Sequence, residues 1–360
     1  MNIRKLPKIS LHDHLDGGLR PQTIIELAEE VGLELPANNA KDLETWFHES
    51  ANSGSLVEYL KTFDITTGVM QTRHGLTRVA KEFVLDLAAD GVVYGEIRWA
   101  PEQHLAKGLT LDEVVEAVQD GLEQGIDEVE AAGGYIRTGQ LVTAMRHNDR
   151  GLEIAELAVR HRDNGVVGFD IAGPEAGFPP VNHKAAFDYL AEQMFPTTVH
   201  AGEADGIESI KDAIVSGRAL RLGHGVRIYQ DLLMREEDGV DLVTLGDVAE
   251  WVHFRQIALE ICPLSNMQTG AIADLGDEYT DHPVAILFDL GFRVTISPDN
   301  RLMSGTSVTK ELQMLVDNFD FDLDDLEELQ LNAADATFQT KDAREELIEI
   351  IREGFQKARR

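Results

Sequence analysis

Eight short runs rich in β-branched and apolar residues recur along this chain, separated by longer segments with helical periodicity. They fall at roughly 8–13 (KISLHD), 92–99 (VVYGEIRW), 135–144 (YIRTGQLVTA), 166–171 (VVGFDI), 197–200 (TTVH), 220–223 (LRLG), 257–261 (IALEI) and 293–297 (RVTIS). Between them lie amphipathic stretches such as 110–131, where Leu111, Val114, Val115, Val118, Leu122 and Val129 follow near-helical spacing. Strand–helix alternation predicts a parallel sheet. Eight such units predict a closed (β/α)8 barrel of the α/β class. Although the 360 residues would allow two domains, the chain has no internal repeat, low-complexity tract or Gly/Ser linker. A single domain spanning 1–360 is the simplest reading, with a helical C-terminus.

Two connections exceed a simple barrel loop. The first, roughly 15–91, follows strand one. It includes a segment at about 40–70 that is a candidate lid or gate. There Leu56, Tyr59, Leu60 and Phe63 share the i, i+3, i+4, i+7 spacing of one apolar helix face. That face either packs on the barrel or walls an active site. The second connection, roughly 225–256, carries the acidic run REEDGVD. Long loops in compact domains are often functional.

In such a barrel, chemistry sits at the carboxyl ends of the strands. Strand one ends in His12 and His14, which as residues i and i+2 of a strand point to the same side. Strand five leads into His200 and Glu203, strand six into His224, and strand eight into Asp299 and Asn300. Thus four of the twelve histidines fall at one end of the predicted barrel. Each signal alone is modest, and a lone strand-end histidine is commonly just hydrogen-bonded. Converging buried polar groups need a common partner, and a divalent metal supplies one. Nitrogen and oxygen ligands without thiolate suit zinc, with iron, cobalt or manganese left open by ligand type.

Composition narrows the alternatives. The single cysteine, Cys262, precludes an intramolecular disulfide and a Cys-rich zinc site, including the cytidine-deaminase type. It reads as a small buried residue at a strand end. The net charge of −32, from 32 Lys+Arg against 64 Asp+Glu, opposes nucleic acid and anionic membranes as partners. The acidic excess is either an ordinary solvated surface or an adaptation to high salt, in which case activity and melting temperature rise with salt. No apolar run approaches a membrane span of about 18 residues. The N-terminal MNIRKLPKIS lacks the apolar stretch of a signal peptide, so the expected compartment is the cytoplasm.

The motifs LHDHLDG, VVGFDIAGPE, VHAGE, RLGHG and the Asp299 segment DNRLMSGTS (299–307) occur in one order along the chain. This ordered set resembles the adenosine deaminases of the amidohydrolase superfamily, and most closely bacterial, actinobacterial-type members. The resemblance covers about 10–300. It implies hydrolytic deamination of adenosine, and of 2′-deoxyadenosine, by a metal-activated hydroxide attacking purine C6. It implies one Zn2+ held by His12, His14, His200 and Asp299. His224 matches the residue that accepts the proton of the metal's water, and Asp299 also orients that water. Glu203 matches the residue that donates a proton to purine N1.

Substrate contacts follow from the same resemblance. The Gly173 N–H matches the group that meets N3, Asp16 the carboxylate for the ribose 5′-hydroxyl, and Leu56, Tyr59, Leu60 and Phe63 the apolar gate. Asn300 replaces an aspartate common in the family at the position facing N7, where an amide NH2 can serve an acceptor. Pro174 replaces the usual aspartate after Gly173, which puts the loop shape in question. The partner implied is a small purine nucleoside. Deamination of adenine or of a modified adenine nucleoside is an alternative, as is an inactive relative that binds nucleosides or a protein. A binuclear hydrolase is disfavoured, because VVGFDIAG has no lysine and its acid, Asp170, lies inside the strand.

Overall fold

The computed structural model describes residues 2–237 and 240–360. Ten strands occur in it: β1 Lys8–His14, β2 Val92–Trp99, β3 Arg137–Met145, β4 Val166–Ala172, β5 Thr198–Ala201, β6 Arg221–His224, β7 Leu232–Glu237, β8 Val240–Leu245, β9 Ala258–Ile261 and β10 Val294–Ile296. All eight expected barrel strands are present, with ends displaced by a few residues. They pair in parallel as two four-stranded sheets, ordered β1-β2-β3-β4 and β10-β9-β6-β5. Two parallel bridges, Phe169 with Thr197 and Asp13 with Asp299, join the sheets into a barrel. The second seam is hydrogen-bonded by Asp299 N–H to the His12 carbonyl (3.0 Å) and by His14 N–H to the Asp299 carbonyl (2.8 Å).

Helices cover the outside as the apolar periodicity requires. The expected helix at 110–131 is Leu111–Ala131, started by a capping box in which Thr110 and Glu113 satisfy each other's backbone N–H groups. The C-terminus is helical, as Val308–Phe319, Leu323–Ala336 and Lys341–Ala358. From the second of these, buried Gln330 accepts the Ile9 N–H of β1 at 2.8 Å, satisfying a strand donor next to the seam.

The first long connection folds as five helices: Pro21–Val31, Ala40–Ala51, Leu56–Leu60, Phe63–Val69 and Arg73–Ala89. Here the expectation of one continuous helix carrying Leu56, Tyr59, Leu60 and Phe63 needs correction. The chain breaks at Lys61–Thr62, because the Thr62 hydroxyl donates to the Tyr59 carbonyl at 2.7 Å while Lys61 and Thr62 N–H groups make tighter i→i−3 bonds. The four side chains come from two short helices.

In the second connection, strands β7 and β8 form an antiparallel hairpin that the sequence reading did not anticipate. Its cue was the Asp-Gly pair inside REEDGVD, a strong short-range hairpin signal; Asp238 and Gly239 themselves lie outside the described residues.

Inside the barrel, apolar packing gives way to charge. Glu96, Arg98, Asp170, Arg221 and Glu260 are all at most 1% exposed. Arg98 donates to Asp170 (2.9 Å) and Glu260 (2.6 Å), and Arg221 donates to Glu260 (2.7 Å) and to Glu96. Thr198 adds a hydroxyl donor to Glu260 at 3.0 Å. Buried charges are costly unless paired and hydrogen-bonded, and here each one is paired. Three carboxylates face two guanidinium groups, so this layer carries a negative excess beneath the strand ends.

Candidate active site

The strand ends deliver their polar side chains into one cavity of about 380 Å3, within the range of small-molecule sites. His14, His200, Glu203, His224, Asp299 and Asn300 line it, together with Asp16 and Gly173. Leu56, Tyr59, Leu60 and Phe63 form part of its wall. His12 lies just below, fully buried. All thirteen residues singled out from the sequence therefore converge on one place.

At its base, His14 Nε2 stands 3.3 Å from His200 Nε2 and 3.3 Å from Asp299 Oδ1, which is also 3.3 Å from His12 Nε2. Donor atoms bound to one zinc ion at about 2.0–2.1 Å stand no more than about 4.2 Å apart, and these three separations lie within that reach. The fit extends to the hydrogen bonding. His12 Nε2 is buried without a partner in the protein, while its Nδ1 is held by Glu260 at 3.0 Å. His200 Nδ1 stands 2.8 Å from Asp170 Oδ2. Carboxylates behind the imidazoles turn Nε2 forward, as is usual behind metal-binding histidines. Burial lowers the pKa of both His14 and His200, favouring the neutral form whose lone pair a cation needs. These residues fit a metal ion, and Asp299 is steadied from behind by the Ser265 hydroxyl at 2.6 Å.

Two of the cavity's polar groups sit on unusual backbone. Both His224 and Asp299 have φ of +61°, a left-handed conformation that costs a non-glycine residue of order 1–3 kcal/mol and persists only where the surroundings impose it. At Asp299 the seam's backbone hydrogen bonds impose it.

Glu203 enters from the turn after β5. Its Oε2 lies 3.6 Å from His224 Nε2, so the two face the same space. Burial, and then the charges of Asp299 and Glu175, push its carboxyl well above the ordinary value, which favours the protonated form. The turn itself is anchored by Glu175, which accepts the N–H groups of Gly202 (2.7 Å), Glu203 (3.0 Å), Ala204 (2.6 Å) and Asp205 (3.1 Å) and the Ser209 hydroxyl (2.6 Å). Glu175 was not singled out from the sequence, although it stands two residues after Gly173 in the same motif. Pro174, the departure in that loop, lines the cavity beside Gly173. Gly173 has φ of +106°, which its lack of Cβ permits.

The remaining residues missed are the supporting ones: Arg98, Arg221, Glu260, Ser265, Asn266 and His282. For the strand residues the cue was a charge inside a run otherwise apolar on both faces, where a barrel strand expects none. Asn300 is buried, and a Cβ on Gly17 would fall 2.0 Å from its Oδ1. The glycine in LHDHLDG thus makes room for it. Cys262 is buried immediately after β9, as expected.

A family profile described as adenosine deaminase matches residues 7–354. The chain belongs to the adenosine deaminase family. Across 355 residues it is 53% identical to adenosine deaminase 1 of Streptomyces coelicolor, covering 98% of this chain and 88% of the relative. Among solved structures, the N6-mAMP deaminase of Arabidopsis is similar with a TM-score of 0.81 and 27% identity, over 98% of this chain and 99% of the other. An adenine deaminase from Arthrobacter aurescens shares the fold at a TM-score of 0.83 and 24% identity, over 98% and 99% of the two chains. Membership of the adenosine deaminase family makes the chain an enzyme of the amidohydrolase type that acts on C–N bonds. Among the described residues no helix is long and apolar enough to cross a membrane.

Proposed function

We propose that this enzyme hydrolyses adenosine and 2′-deoxyadenosine, with water, to the corresponding inosine and ammonia. The observation that carries the reading is the convergence of Glu203 and His224 on the space above His12, His14, His200 and Asp299. Those four residues would hold one zinc ion, which when bound makes a hydroxide available near neutral pH.

The rest of the work falls to side chains. Glu203 keeps its proton in the buried cavity and passes it to purine N1, which makes C6 electrophilic. His224 hydrogen-bonds the attacking oxygen. The Gly173 N–H meets N3, and the Asn300 amide donates to N7. Asp16, 4% exposed, accepts the ribose 5′-hydroxyl; burial raises its pKa to about 7, and above that pH its carboxylate opposes a 5′-phosphate. The 40–70 segment acts as the gate: its four apolar side chains exclude water from the purine. The compartment we assign is the cytoplasm.

The test is a substrate panel on the zinc-loaded enzyme, following ammonia release from adenosine, 2′-deoxyadenosine, adenine, AMP and N6-methyl-AMP. Turnover of the two nucleosides, with kcat/KM for the nucleotides and the free base lower by about 10²-fold or more, is expected. Preferential turnover of adenine or of either nucleotide would refute the assignment to Asp16.

A further inference from the structure

A hydrogen-bond chain behind His224 decides which of its nitrogens carries the proton. It starts at a group with no freedom: the Val284 backbone N–H, which can only donate. It donates to His282 Nδ1 at 3.1 Å. That nitrogen is therefore unprotonated, and the single proton of a neutral imidazole sits on Nε2. His282 is 2% exposed, and burial lowers its pKa to about 3, so it is neutral.

The next link follows from the first. His282 Nε2 lies 3.4 Å from Asn266 Oδ1. With the proton on Nε2, only the carbonyl oxygen of the amide can face it; a flipped amide would set donor against donor. The orientation of Asn266, ordinarily ambiguous, is thereby fixed. Its NH2 must point the other way, and there it meets His224 Nδ1 at 3.0 Å. Asn266 is fully buried, as is His224 to within 1%, so water does not compete for either end.

We propose that Asn266 and His282 are positioning residues that lock the proton of His224 on Nε2, so that His224 meets the attacking oxygen as a hydrogen-bond donor. A pyrrole-type Nε2–H has no free lone pair with which to take the nucleophile's proton, and protonation at Nδ1 is opposed because Asn266 offers an NH2 where the cation would need an acceptor. The lock therefore revises the proton-accepting role that family resemblance implies for His224. It rests on the functional reading above only for what the oxygen attacks; the tautomer itself is a property of the protein.

The experiment is 15N NMR of the zinc-loaded enzyme labelled selectively in its twelve histidines, with the His224 signals identified by their loss in His224→Gln. A pyrrole-type Nε2 and a pyridine-type Nδ1 are expected. The opposite tautomer, or two pyrrole-type nitrogens, would overturn the lock. In a second arm, Asn266→Asp places a carboxylate that can only accept. It should draw the proton to Nδ1 and lower kcat by about 10²-fold, the cost of losing one preorganised donor, with KM and zinc content unchanged. An unchanged kcat after the proton has moved would overturn the donor role. The Nε2–H tautomer in an enzyme that fails to deaminate adenosine would sustain the lock while removing the substrate assignment.

Discussion

One half of the cavity is built from strand ends and the other from an insertion, and the two are held by different forces. On the strand side, His12, His200 and Asp299 are each braced by a buried partner: Glu260, Asp170 and Ser265. The two carboxylates among them are tied in turn to Arg98 and Arg221. On the insertion side, Leu56 and Tyr59 are buried, Leu60 and Phe63 only half-buried, and the backbone breaks between the two helices that carry them. Packing there is apolar and non-directional, apart from the Tyr59 hydroxyl, which is 3.3 Å from Ser304 Oγ. The contrast teaches a division of labour. Directional charge holds the polar groups at the strand ends, and apolar contact forms the wall that faces them.

The sharpest break on the strand side is Glu203→Gln. The amide keeps the shape and loses the acid, so kcat should drop by about 10²–10⁴-fold with zinc content unchanged. Steady-state kinetics alongside metal analysis checks it, and parallel loss of metal would show that Glu203 belongs to the cation's support instead.

Next in size is Glu260→Gln, one layer further down. His12 Nδ1 loses its carboxylate and two arginines lose a counter-charge. Zinc affinity should weaken by about 10–100-fold, read by competition with a chelator. Stability should fall by about 3–5 kcal/mol, the usual result of unpairing a buried charge, read by denaturant unfolding. The smallest effect belongs to the insertion side. Phe63→Ala removes apolar wall alone, so KM should rise by roughly 10-fold, about 1–3 kcal/mol of lost uniform binding, while kcat stays within about twofold. A kcat loss comparable to that of Glu203→Gln would erase the distinction between the halves.

The same contrast explains what was readable in the sequence. Strands could be located because an apolar run between helical patterns is a local signal, and the candidate metal-binding histidines could be located because strand ends are where a barrel does chemistry. The break at Lys61–Thr62 was not readable, since spacing records which residues share a face and is silent about whether one helix or two supplies it. The buried charges were legible in principle, as Glu96 and Arg98 inside VVYGEIRW show, but their partners are far apart in sequence: Arg98 meets Asp170 from two strands away and Glu260 from across the barrel. Glu175 was hidden for a different reason. A carboxylate that accepts backbone N–H groups leaves no pattern in side-chain chemistry, because any turn offers those donors.

The seam between β1 and β10 has a consequence for how such an enzyme is made. His12 and His14 leave the ribosome long before Asp299, which follows only after almost all of the barrel has been synthesised. A complete cation cage thus cannot exist until the last barrel strand has emerged. A metal held by all four residues would draw together the first and last strands of the barrel like a clasp.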